Sequence, residues 1–236
     1  MENKNTGAFK GFSKEMLEFL ISLKFNNSKG WFEEHREEYT RYVLEPFKSL
    51  VVELSSFMLE LDPLLEVTPA VDKTISRIHR DIRFSKDKSP YRSNVWITFK
   101  RPQKDWKESP SWYFEITPDF YRYGMGFYTA TKATMDRFRK RIDDRPEEFL
   151  EVISFYRKGT FSLEGESYKK ILDSSKPKEI QEWYQKKNFY LACNRKLDKL
   201  LFEDELPDVI REGFSELVPL YNYLWDVKLE GETIEE

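Results

Sequence analysis

The sequence predicts an α+β fold, a central antiparallel sheet flanked by N-terminal and C-terminal helices. Three observations predict it. Apolar residues recur at helical spacing through the first sixty positions, alternate with polar ones between about 95 and 127, and return to helical spacing beyond 131. We expect one α+β domain over residues 1–236, helical over 1–62, sheet-rich over 63–130, helical over 131–228, with an acidic tail over 229–236.

In order along the chain, Phe12 before Ser13, with Leu17 five residues on, fits a hydrophobic staple and N-cap. Met16, Leu17, Leu20 and Ile21 then predict a helix to about Lys24. Asn26-Asn27-Ser28 offers the next cap, and Pro46 suits the start of a helix carried by Phe47, Leu50, Leu54, Phe57 and Leu61. Asp62-Pro63 ends this regime. Val95, Ile97 and Phe99 alternate with polar neighbours, as do Trp112, Phe114 and Ile116, and both runs read as strands. Thr117-Pro118-Asp119 marks a turn into a third strand, with Tyr121, Tyr123, Met125 and Phe127 on one face and Arg122, Gly124 and Gly126 on the other. Met135, Phe138 and Ile142 restore the helical period. Pro146 and Pro177 open two further helices, with a loose stretch around Gly159 and Gly165 between them. Phe189 to Ala192 suggests a short strand, and a last long helix runs through Ile210, Phe214, Leu217, Tyr221 and Leu224, kinked at Pro219.

Charge is nearly balanced overall, 39 Lys+Arg against 42 Asp+Glu, but it is sorted along the chain. Residues 72–108 carry 11 basic and 5 acidic side chains and residues 120–141 carry 6 and 1, whereas residues 203–236 carry 2 and 11. A positive middle and a negative end mean an anion-binding surface or an acidic segment docked on a basic one. The single Cys193 forms no intrachain disulfide, the opening residues lack the pattern of a secretory signal, and no apolar run reaches the length of a membrane span. The expectation is a cytoplasmic protein without a membrane partner. Two His and one Cys exclude a zinc site built from those ligands.

The densest polar stretch is residues 76–92, with six Lys/Arg, two Asp and His79. Read as a strand, Arg77, His79, Asp81 and Arg83 share one face and Ile78, Arg80, Ile82 and Phe84 the other; a helix over the same residues is the alternative. An Arg80 on the apolar face needs a carboxylate, carbonyls or a bound anion. Arg77, Arg80 and Arg83 offer planar forks for phosphate or carboxylate, and Lys86 and Lys88 add point charges. His79, Asp81, Asp87, Tyr91 and Arg122 complete the candidate ligand-binding set. The competing structural reading pairs Asp81 and Asp87 with Arg77, Arg80 or Arg83 in an internal network. His79-Arg80-Asp81 is not a kinase catalytic loop, because Lys86 stands where an Asn is required. Further along, Arg137, Lys140 and Arg141 read as a solvated helix face.

The run Arg77, Arg80-Asp81-Ile82-Arg83-Phe84-Ser85-Lys86-Asp87-Lys88-Ser89-Pro90-Tyr91-Arg92 resembles the signature of the uncharacterised family known as domain of unknown function 2461. Gly11-Phe12, Phe19-Leu20, Asn26-Asn27, Trp31-Phe32, Tyr39 and Pro46 resemble its opening block, and Tyr113, Gly124, Gly126 and Tyr128 its middle. The resemblance covers roughly residues 9–225 and is strongest up to 142; residues 169–177 depart from the family's lysine-proline-glycine block. It implies where a site lies and implies no reaction and no cofactor.

Three functions stay open at this point. The first is a pocket for a small anionic ligand on residues 77–92. The second is a single-stranded nucleic-acid module using the interleaved aromatics, Trp96, Trp106, Trp112, Tyr121, Tyr123 and Tyr128 among them. The third is a non-enzymatic interaction or structural protein whose charges pair internally.

Overall fold

The structure is a computed structural model that describes residues 8–83 and 86–232. Phe84 lies outside them, and so do the last four residues of the expected acidic tail. The described chain is α+β: helices α1 (Lys14–Phe25), α2 (Lys29–Glu34), the single turn α3 (Arg36–Glu38) and α4 (Glu45–Leu61) precede the sheet. Its strands are β1 (Val95–Phe99), β2 (Pro110–Ile116), β3 (Phe120–Phe127), β4 (Ser162–Glu164) and β5 (Tyr190–Lys196). They form one antiparallel sheet in the order β1-β2-β3-β5-β4. Helices α5 (Lys132–Asp144) and α6 (Pro146–Val152) lie between β3 and β4, α7 (Lys178–Tyr184) between β4 and β5, and α8 (Leu206–Glu232) closes the chain.

Local chemistry sets three of the helix starts. Ser13, Ser28 and Thr131 each accept a hydrogen bond from the backbone N–H three residues on, as N-caps do. Pro46 stands in the first turn of α4, as predicted, but no break in the chain precedes that helix. The chain from α3 into α4 is continuous through a π-helical stretch, Tyr39–Leu44, in which the Glu45 N–H donates to the Thr40 carbonyl five residues back. A proline ring crowds the carbonyl four residues before it, here that of Tyr42, and the wider π turn relieves that contact. Helix α8 likewise runs unbroken through Pro219.

By compactness the chain divides into two units. One comprises the residues up to Phe99 with Tyr113–Arg122 and Arg195–Arg211; the other comprises Lys100–Trp112, Tyr123–Asn194 and the residues from Glu212 on. In the first, Phe12 stacks on Phe114 at 5.9 Å and meets Phe47 at 5.0 Å, and the Phe12 N–H donates to the Leu201 carbonyl at 3.0 Å. Gly11 precedes it at φ +87°, where a Cβ would fall 2.2 Å from the Phe202 backbone. In the second, Trp112 packs on Phe214 and Tyr221, while Phe138, Phe149, Trp183 and Phe189 interlock, edge-on except for the tilted Phe138–Phe189 pair. The inward sets predicted for β1 and β2 are the buried ones. On β3 both faces are buried from Tyr123 on, because the β5 backbone closes over Gly124 and Gly126.

Of the basic face predicted for α5, only Lys140 is exposed. The Arg141 side chain is only 10% exposed and pairs with Glu148 at 2.8 Å, Asp226 at 3.0 Å and Glu230 at 2.6 Å, while Arg137 donates to the Val227 carbonyl. The acidic C-terminal helix supplies two of those three carboxylates, a pairing that periodicity within α5 cannot reveal.

Candidate functional site

The described residues between 62 and 94 hold no long helix or strand, yet they are not formless. The Ser76 N–H donates to the Trp96 carbonyl at 2.9 Å, and the Thr98 N–H donates to the Thr74 carbonyl at 2.8 Å. Ile75 bridges Ile97 antiparallel, so this segment lines the free edge of β1. Further out, the Arg80 N–H donates to the Pro90 carbonyl and the Arg92 N–H to the Ile78 carbonyl, both at 2.8 Å. The result is an irregular hairpin, and Asp81, Ile82, Arg83, Lys86, Asp87 and Lys88 at its outer end are exposed. Pairing stops there for a chemical reason. Asp81 Oδ1 accepts from the Arg83 N–H and Asp87 Oδ1 from the Ser89 N–H, two Asx turns that divert the backbone, and Pro90 has no N–H to give.

His79 and Tyr91 face each other between those two hydrogen bonds, so the Tyr91 N–H and C=O point away from the hairpin. Asn27 satisfies both. Its Oδ1 accepts from the Tyr91 N–H and its Nδ2 donates to the Tyr91 carbonyl, each at 3.0 Å, across 64 residues of sequence. The Tyr91 ring, 1% exposed, stacks on Phe32 at 4.3 Å and meets His79 at 4.9 Å. Burial, reinforced by the Glu33 carboxylate, pushes its hydroxyl above the ordinary range.

The alternation predicted around Ile78 holds from Arg77 to Arg80: Arg77 and His79 are exposed, Ile78 is buried and Arg80 is partly buried. Each of the three arginines meets an aspartate. Arg77 pairs with Asp72, Arg80 with Asp87, and Arg83 donates twice to Asp81, at 2.7 and 3.0 Å. Asp72 holds a left-handed φ of +69°, a conformation Asp tolerates better than most residues. The Arg83 guanidinium draws the Asp81 carboxyl down to about 2; Ser89 chiefly, with Arg80, holds Asp87 below its ordinary value.

The positive charges outnumber these partners. Lys88 donates to the Ile82 carbonyl at 2.9 Å, and Lys86 forms no ion pair among the described residues. Arg92, outside the predicted set, donates to the carbonyls of His79 at 2.8 Å and Arg77 at 3.3 Å and lies over the Trp96 ring. The Arg80 side chain is 28% exposed, and its Nε is buried without a hydrogen-bond partner among the described residues. Arg122 is held by Glu115 at 2.7 Å, a carboxylate that also accepts from Asn94 at 2.6 Å.

Asn27, Asp72 and Arg92 belong with this arrangement and were not in the predicted set. Asn27 stands in the opening block and Arg92 ends the signature run, whereas no motif singled out Asp72. Of the aromatics considered for nucleic-acid stacking, Trp112, Phe114, Tyr121, Tyr123 and Phe127 are core. Trp106 and Tyr128 remain at the surface, 5.6 Å apart, with Lys100 over the first ring and Lys107 near the second.

The sequence model of one family, described as a conserved hypothetical protein (DUF2461), matches residues 15–223, most of the chain. No curated protein matches it. No helix among the described residues is long and apolar enough to cross a membrane.

Proposed function

The chain belongs to the DUF2461 family of conserved hypothetical proteins, and on the arrangement of residues 77–92 we propose that it binds a small phosphate- or carboxylate-bearing ligand at the tip of the basic hairpin. The observation that carries this reading is Arg80. Its guanidinium is anchored at one end by Asp87 while Nε is buried with no acceptor among the described residues. A buried donor left unmet is costly, and an anion oxygen is the acceptor that a guanidinium selects best. Lys86 and Lys88 stand on the same tip. The aspartates on Arg77 and Arg83 are exposed, and exposed pairs contribute little, so an incoming anion can exchange with them at small cost.

The test is a thermal-shift screen of pyrophosphate, nucleotides and sugar phosphates at constant ionic strength. Pyrophosphate or a close relative is expected to raise the melting temperature, and Arg80→Ala and Arg83→Ala are expected to abolish the rise. No shift with any anion, or a shift that survives Arg80→Ala unchanged, would refute the reading.

A second reading draws on Trp106 and Tyr128, whose surface rings carry lysines as single-stranded nucleic-acid sites do. It predicts binding to an oligonucleotide that weakens steeply with salt and drops on Trp106→Ala. Salt-independent or absent binding at low ionic strength would end it.

A further inference from the structure

Helix α1 presents Glu15, Glu18, Ser22 and Asn26 along one stripe, at spacings of three and four residues. Opposite them the chain from α2 through the π-helical stretch presents Trp31, His35, Glu38 and Tyr42 at the same spacing. Together the two stripes line a cleft of about 470 Å³. The α1 stripe spans eleven residues, roughly 16 Å at 1.5 Å per residue.

Its walls are aromatic and acidic. Trp31 packs on Phe19 at 5.6 Å and is stacked by the His35 ring at 4.1 Å, with planes 15° apart. His35 Nδ1 donates to the Trp31 carbonyl at 2.7 Å, which fixes the imidazole and leaves its other nitrogen an acceptor when the ring is neutral. Tyr42 lies inside the six-residue π-helical stretch, an uncommon geometry often found at binding sites. Among the described residues no Lys or Arg lines the cleft, although Arg41 lies over the Tyr42 ring, its guanidinium 5.4 Å from the centroid. Most acidic residues around residues 77–92 and on α8 meet an arginine or lysine. Glu18 and Glu38, both exposed, form no ion pair among the described residues. Nor do these acidic groups converge as metal ligands do, since no set of three or more His, Cys, Asp or Glu among the described residues is placed to hold an ion.

Spread carboxylates facing aromatic rings suit an extended organic cation. Its ammonium groups reach separate carboxylates, and its methylenes lie against the indole edge and the phenol ring. We propose that this cleft is a binding site for a short aliphatic oligoamine, independent of the anion site proposed above.

Calorimetric titration of spermidine into the full chain at low salt tests it. The expected result is saturable one-to-one binding, weakened tenfold or more in Glu18→Gln/Glu38→Gln. Both carboxylates are exposed and unpaired, so the variant keeps its fold. Tyr42→Leu should weaken binding several-fold, and the pyrophosphate response should be unchanged in all three proteins. Absence of saturable binding would overturn the assignment. So would a spermidine affinity equal in wild type and the double variant, since that would mean diffuse attraction to the acidic surface.

Discussion

Replacing Asn27 by Ala removes the amide that closes both backbone bonds of Tyr91. The two hydrogen bonds are each worth about 1 kcal/mol net, and the Tyr91 N–H and C=O left behind add a desolvation penalty of roughly 1 kcal/mol more, since Asn27 is only partly buried and water regains some access. The expected loss is about 2–3 kcal/mol. At roughly 2–4 °C per kcal/mol for a chain of this size, the melting temperature falls by about 5–10 °C. Urea denaturation followed by tryptophan fluorescence measures it directly. Asn27→Asp sharpens the argument. Its carboxylate still accepts from the Tyr91 N–H but sets an oxygen against the Tyr91 carbonyl, which disfavours the charged form and raises the new carboxyl's folded pKa. The deficit of Asn27→Asp against wild type should therefore be full at neutral pH and shrink as pH falls through that raised pKa, once a proton restores the donor. A loss under 0.5 kcal/mol in Asn27→Ala, or an Asn27→Asp protein as stable as wild type at pH 7, would refute the clamp.

Gly124→Ala places a Cβ 1.9 Å from the Leu191 carbonyl oxygen, so backbone must move; more than about 3 kcal/mol should be lost, or the chain should fail to express folded. Gly30→Ala, with open space around the new methyl in α2, should instead gain about 0.5–1 kcal/mol by chemical denaturation. Arg141→Met should cost about 1–3 kcal/mol, because the arginine is buried while its three carboxylates can rehydrate; an unchanged urea midpoint would count against the network. Lys228 holds the Asp105 carboxyl below its ordinary range. That contribution is full above about pH 3.9 and is lost as pH falls through the folded value, so the stability gap between wild type and Asp105→Asn should narrow in acid. A gap that is flat from pH 6 to pH 2.5 would contradict the pair.

Much of this fold is readable in the sequence where the deciding interaction is local. The caps Ser13, Ser28 and Thr131 act three residues away, and the alternation of Val95, Ile97 and Phe99 or Trp112, Phe114 and Ile116 has the period of the strand itself. The address of the candidate anion site was legible for the same reason, since six cations within seventeen residues are a local excess. Strand β4 was not legible, because three residues carry no period and its register, Leu163 opposite Leu191, exists only through β5.

Sequence alone determined the fold class, the faces of β1 and β2, and the place where positive charge gathers. Periodicity and composition are properties of neighbouring residues. Tertiary structure alone decided that Asn27 clasps Tyr91, that Arg141 is buried among carboxylates of α6 and α8, that the β5 backbone covers Gly124 and Gly126, and that Arg77, Arg80 and Arg83 each meet a particular aspartate. Most of these pairings join residues tens of positions apart. Even where the partners are close in sequence, the choice among several nearby aspartates is made by where the folded backbone aims each side chain.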